Sequence, residues 1–338
     1  MTRATFANPQ RHVQSWYVAG LSSELRRGRA LSRTLLGRRI ALYRGEDGAV
    51  RALDARCAHL GADLGQGRVV GNDLRCGFHH WTYGGDGRCI RIPSLQGVPA
   101  WARTFAYPVE ERWGVVWLFN GRVPLFPLPS FESRSGERLV ATRLKPRLLP
   151  CHPHLAVANG LDIEHFKTVH GFDFVREPNV APLDAYRTRA VLDVRLRRDS
   201  AGARCLAALT GGRFLAAFTT WGGNLATIEG RAGPVEVLVL FTHRPLEQGG
   251  SASQTFLFSV AGRSAALAKM KLALAGLVMA HILTRDREVL DTLAFRPNLV
   301  AADAPLAAFM RQVNAMPVND APRCEDAREP SRPASSLG

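Results

Sequence analysis

Lysine is scarce in this chain of 338 residues: Lys145, Lys167, Lys269 and Lys271 are the only four, so arginine carries the formal charge of +15. Beside so much Ala, Gly and Leu, the skew reads as GC-rich codon usage as much as selection for a polyanion. No dense basic block with interleaved aromatics occurs, which argues against nucleic-acid binding. A basic surface suits an acidic protein partner better. Long apolar runs are missing too. The longest, "LALAGLVMAHIL" (272–283), is too short to span a bilayer, and "MTRATFANPQRHVQSW" at the start lacks the apolar core of a signal peptide. There is no GxGxxG fingerprint, so the chain is not expected to take hydride from a nicotinamide itself. Six cysteines without a secretory signal point to a reducing compartment, where Cys and His together suggest metal before disulfide. The expected location is the cytoplasm.

What is present is enough apolar residue, 46%, for two ordinary domains. Residues 38–92 alternate short β-like runs ("RIALYR", "VRALD", "GRVV", "RCIRIP") with Gly, Asp and Asn, as a small antiparallel domain does. "WGVVWLFNG" (113–121) reads as its closing strand, and "PLFPLPS" (124–130) as a connector. A helical segment around 158–170 follows. Strands are expected in "AVLDVRLR", "RFLAAFTTW", "VEVLVLF" and "SQTFLFSV", and a long helix from about 264 to 294 in which Gly276 is the only break. These readings divide the chain into a first domain at 12–122, a connector at 123–137, a second domain at 138–317 and a polar, disordered tail at 318–338.

Two constellations carry chemistry. Cys57-Ala-His59 and, sixteen residues on, Cys76-Gly-Phe-His79 put one thiolate and one imidazole on each of two loops. A zinc site is the rival, but zinc fingers usually pair Cys with Cys and His with His. One of each per loop suits a [2Fe–2S] cluster with both cysteines on one iron and both histidines on the other, an arrangement that raises the reduction potential. The second constellation is "LDIEHFKTVHGF" (161–172), with Asp162, His165 and His170. Histidines five apart do not stack on an ideal helix. A helix ending near Gly171 would swing His170 back beside His165.

The motifs "CAHLGADLGQG" and "CGFHHWTYGGDGRC" resemble the Rieske family, with one departure: the residue after the last ligand is usually Gly and here is His80. Joined to Asn159-x2-Asp162-x2-His165-x4-His170, they resemble the α subunits of Rieske non-haem iron oxygenases, over roughly residues 14 to 317. The resemblance implies an α+β chain: an N-terminal Rieske antiparallel β domain, then a helix-grip, START-like catalytic domain with an antiparallel sheet and long helices. It implies cluster ligands Cys57, His59, Cys76 and His79, and a mononuclear Fe(II) on His165, His170 and a carboxylate from a late helix. Within "ILTRDREVLDTL" (282–293), Asp286 fits the family's context best, ahead of Asp291 and Glu288. Asp162 is then a bridge to the cluster of a neighbouring subunit rather than a ligand, and Asn159 a hydrogen-bonding neighbour of the site. A homotrimer, a ferredoxin or reductase supplying electrons from NAD(P)H, and O2 as co-substrate complete the implied system.

The length matches compact members that hydroxylate, demethylate or oxidatively cyclise, and Phe214, Phe218, Trp221, Phe241, Phe256 and Phe258 suggest a mostly hydrophobic, aromatic or polycyclic substrate. An electron-transfer protein without mononuclear iron, and a hydrophobic-ligand-binding module, are the alternatives. "CHPH" (151–154) reads as a Pro-containing extended segment whose neighbours alternate sides, so its three donors cannot all face one ion. Cys89, Cys205 and Cys324 read as ordinary thiols, and His243 and His281 as core histidines.

Overall fold

The computed structural model describes residues 4–195, 204, 207–208, 211–261 and 265–319, which form two compact units. The expected tail beyond 319, Cys205, Cys324 and the side chain of His281 lie outside the described residues.

The first unit, residues 18–124, is built from short antiparallel strands. β1 (Trp16–Leu21) leads into it across the boundary; β2 (Ala30–Leu35), β3 (Arg38–Arg44) and β4 (Val50–Asp54) follow. β5 (Arg68–Val70), β6 (Asp73–Arg75), β7 (Thr82–Tyr83) and β8 (Cys89–Arg91) come next, then β9 (Ala106–Tyr107), β10 (Val109–Arg112) and β11 (Val115–Phe119). They make three sheets, in the orders β2-β3-β4-β9, β5-β6-β7-β8 and β1-β11-β10. Tyr43, Leu53, Leu64, Leu74 and Tyr83 fill one core, all fully buried. The two candidate loops, 55–63 and 76–81, leave the ends of β4 and β6 over that core.

The second unit takes residues 4–17 and 125–318. Its elements are β12 (Leu139–Arg143), β13 (Arg147–Leu149), α1 (Pro153–Ala158), α2 (Ile163–Thr168), β14 (Asp173–Phe174) and β15 (Asn179–Pro182). The long strands β16 (Arg187–Arg195), β17 (Arg213–Trp221), β18 (Leu225–Ala232), β19 (Val235–Pro245) and β20 (Ser251–Val260) follow, then α3 (Ala265–Leu290) and α4 (Ala304–Ala315). One nine-stranded antiparallel sheet runs β12-β20-β19-β18-β17-β16-β14, with β13 on β20 and β15 on β16. β16 shows why: Thr188, Ala190, Leu192 and Val194 are buried while the residues between them are not, the period of two of a half-covered strand.

The register decides which aromatic side chains face the helices. Phe218 pairs with Ile228, Ile228 with Val239, and Val239 with Leu257, so these four share a face. Leu272 and Met279 of α3, seven residues apart and hence on one helix face, pack on Val239 and Leu257. Gly276 lies on the same stripe. A Cβ there would stand 3.3 Å from Leu144, so the expected break is instead a point of close approach and the helix runs through it. Phe214 and Phe241 share the helix-covered face. Trp221, Phe256 and Phe258 sit one strand position out of phase and turn to the other side, where Phe258 meets Phe131 at 5.1 Å.

Three local expectations are corrected. The stretch 158–170 is not one helix: α1 ends at Ala158, a 3₁₀ turn covers Asn159–Leu161, and α2 starts afresh after Asp162. "CHPH" is not extended, because Pro153 occupies the first turn of α1 with His152 as its N-cap. α4 was not expected at all. Its Phe309 and Val313 are fully buried, and its Asn314 Oδ1 accepts from the backbone N–H groups of Thr5 and Phe6, holding the N-terminal segment.

Candidate metal centres

The first candidate centre stands on two tight loops. Cys57 N–H donates to Ala62 O (2.9 Å) and Gly61 N–H to Cys57 O (2.9 Å), a closure in which Gly61 takes the left-handed backbone, φ 77°. In the second loop Cys76 N–H donates to Trp81 O (2.8 Å). Cys57 and Cys76 are buried, and burial pushes the Cys57 thiol up. His59 and His79 are exposed, with ring centroids 4.6 Å apart. Trp81 stacks flat on His59 at 4.7 Å and 3°. Two thiols inside and two imidazoles outside form the donor set that a two-iron cluster with unlike irons requires. His80 has φ 60°, which explains why glycine suits that position.

One contact here has no motif behind it. The Tyr83 hydroxyl lies 3.0 Å from Cys57 Sγ and also accepts the Ala58 N–H at 3.0 Å. Its only sequence signal is a tyrosine in a β run four residues beyond His79.

The second candidate centre joins the 163–170 segment to α3. Asp162 caps α2, its Oδ1 accepting the His165 backbone N–H at 2.9 Å, a contact of about 1 kcal/mol. The carboxylate therefore acts on the His165 backbone, not on its ring. After Val169 closes the helix, Gly171 takes φ 65° and Phe172 N–H returns to Phe166 O (2.9 Å). That turn brings His170 Nε2 to 3.1 Å from His165 Nε2. From α3, Asp286 Oδ1 stands 2.9 Å from His165 Nε2 and 2.8 Å from His170 Nε2.

The Asn159 side-chain amide reaches both His165 Nε2 and Asp286 Oδ1 at 3.1 Å. Burial pushes the Asp286 carboxyl up, but hydrogen bonds from His165 and His170 outweigh it and leave the group at about 2. Among the described residues these three are the only group of three or more His, Cys, Asp or Glu whose donor atoms all lie within 4.8 Å of one another. Two imidazoles and a carboxylate, partly buried, fit a six-coordinate ferrous ion with positions left open.

The other candidates stand elsewhere. Asp291 pairs with Arg287 (3.0 Å) and Glu288 is exposed. His152 Nδ1 accepts from the His154 backbone N–H (3.2 Å), and His154 Nδ1 from that of Ala7 (3.1 Å). Cys151 is a buried thiol held at about 11 by burial, and His243 is buried and held at about 4 for the same reason.

Comparison with known proteins bears on the first centre and on the fold. Residues 15–102 match the Rieske [2Fe-2S] domain model. The aminopyrrolnitrin oxygenase PrnD of Pseudomonas fluorescens is 39% identical over 131 residues, 36% of this chain and 36% of that protein. A probable 3-ketosteroid-9-alpha-monooxygenase oxygenase component of Rhodococcus rhodochrous is 38% identical over 175 residues, 48% of this chain and 42% of that one. The matched segments thus span well under half the length of these curated relatives. Among solved structures, dicamba monooxygenase bound to 3,6-dichlorosalicylic acid superposes with a TM-score of 0.61 at 23% identity, over 89% of this chain and 96% of that one. NdmA of Pseudomonas putida CBB5 with caffeine gives 0.62 at 20%, over 88% of each. The fold is shared along nearly the whole chain.

Proposed function

From a chain that carries a Rieske [2Fe–2S] domain and is homologous to Rieske oxygenase α subunits, we propose a terminal oxygenase component. It passes electrons from its cluster to a mononuclear Fe(II) and uses O2 to oxidise a mostly hydrophobic, ring-bearing small molecule. One observation carries the reading: His165, His170 and Asp286, from segments more than a hundred residues apart, converge in the same chain as a Rieske domain. Bound there, ferrous iron would supply redox chemistry and open positions for O2.

The protein's own groups prepare that site. Asp286 is ionised at any ordinary pH, so it offers charge without first losing a proton. Asp162 fixes the start of α2 and with it the backbone of His165. The Asn159 amide holds His165 and Asp286 in register. Phe214, Phe218, Ile228 and Phe241 pack on the core beside α1 and α2, an apolar setting that suits a hydrophobic substrate. Relatives named for aminopyrrolnitrin, ketosteroids and cholesterol, and structural neighbours holding dicamba or caffeine, are in keeping with an aromatic or polycyclic one.

Insertion of one oxygen atom into a C–H bond takes O2, two electrons and two protons and releases water. Without a dinucleotide fingerprint, the chain takes those electrons from NAD(P)H through a ferredoxin or a reductase. Leu60, Phe78, Leu95 and Trp101 are exposed around His59 and His79, and such an apolar edge supports a subunit contact there. The assembly in this reading is a homotrimer acting in the cytoplasm, with Asp162 bridging toward the cluster of the next subunit. Among the described residues no helix is long and apolar enough to cross a membrane.

Anaerobic purification followed by iron and sulfide counting and EPR tests the reading. Two cluster irons plus one mononuclear iron are expected per chain, with two sulfides and a low average g value on reduction. Asp286→Ala should lose the mononuclear iron alone. Asp162→Asn should keep all three and stop electron delivery to substrate. Zinc in place of iron would sink the proposal, and two irons per chain would favour a simple electron carrier.

A further inference from the structure

We propose that Arg285 is a positioning residue that presets the mononuclear site by clasping α2 to α3 from outside the donor cluster. The inference rests on the metal-site reading above. Arg285 Nη1 donates to Val169 O at 3.1 Å. Val169 is the C-cap of α2 and immediately precedes His170; Arg285 immediately precedes Asp286. The bond therefore lies one residue away, on both segments, from the His170–Asp286 contact of 2.8 Å.

Two physical effects make the placement consequential. Carbonyls in the last turn of a helix lack intrahelical partners and carry partial negative charge, so a guanidinium there is stabilising. The donors, by contrast, attract one another only while the imidazoles give Nε2–H to Asp286, and oppose one another once they turn lone pairs inward to receive a cation. In the metal-ready state both imidazole Nε2 atoms and the Asp286 carboxylate present lone pairs to the same point, within 4.8 Å. A tie using none of those atoms keeps α3 against His170 while they repel. Arg285 is exposed, so the clasp adds little to global stability and acts on local geometry.

The test is anaerobic Fe(II) binding to cluster-loaded protein stripped of its mononuclear iron, read by competition with a chromogenic chelator. Arg285→Ala should weaken Fe(II) binding roughly tenfold, the lower end of what partners of metal ligands contribute, with the cluster spectrum unchanged. Arg285→Lys should restore part of the loss, because it keeps a cationic donor. Arg287→Ala, on the same helix but bonded to Asp291, should leave affinity as in the wild type. Affinity within twofold of wild type in Arg285→Ala, or an equal loss in Arg287→Ala, would overturn the proposal. If wild type and His165→Ala bind Fe(II) equally poorly, the metal-site reading itself fails and takes this inference with it.

Discussion

At Cys57 the decisive atom is a proton on a neighbouring residue. The Ala58 N–H is already spent on the Tyr83 oxygen, so the tyrosine's own proton is free to point at the sulfur 3.0 Å away. Burial, with the Cys57 sulfur beside it, pushes the phenol far up, so it remains a donor at every ordinary pH. A donor to a cluster sulfur favours the more negative, reduced state. Tyr83→Phe should lower the reduction potential by roughly a tenfold change in the reduction equilibrium, about 59 mV for a one-electron couple, in a spectroelectrochemical titration. An unchanged potential would show that the hydroxyl has no hold on the cluster. The four candidate ligands were legible because spacing alone sets two loops with one thiol and one imidazole each. Tyr83 was not, since reach between β7 and the first loop depends on sheet pairing that no local motif records.

At the scale of elements, the break between α1 and α2 does what an unbroken helix could not. Gly160, in the 3₁₀ turn, faces the Phe218 ring so closely that a Cβ would stand 2.1 Å from it. Gly160→Ala should destabilise the protein by about 1–3 kcal/mol, as overpacked sites do, and lower its iron content, because the displaced turn carries Asn159. Thermal unfolding and metal analysis check both; unaltered values would mean that Phe218 swings away at no cost. The sequence patterns showed the long strands, by their β-like apolar runs, and α3, by the sheer dominance of apolar residues. They did not show the 3₁₀ turn, where a distant strand dictates local geometry, nor α4. Leu306, Phe309, Met310 and Val313 do have helical spacing, but their stripe is short and begins behind Pro305.

For the whole molecule, buried and half-buried imidazoles tie stability to acidity. His152 and His243 titrate near 4 in the fold because burial disfavours the cation, against about 6.5 in an unfolded chain. Between those values the unfolded chain holds the extra protons. Stability is therefore level above about pH 6.5 and falls as pH drops toward 4, by up to about 3 kcal/mol for each group. Denaturant titrations at pH 7 and pH 5 should show the loss, and His243→Leu should remove part of it; an equal slope in the variant would assign the effect elsewhere. The arginine surplus makes a second prediction: reduction by an acidic electron donor should slow as salt rises and shortens the screening length, and salt-insensitive turnover would count against such a partner. The separation of ligands along the chain also orders the protein's assembly. All four candidate cluster ligands lie between residues 57 and 79, whereas His170 leaves the ribosome 116 residues ahead of Asp286. At about 5–20 residues per second that is a delay of roughly 6–25 s, during which a nascent chain can accept its cluster but offers only two of the three donors for the second metal.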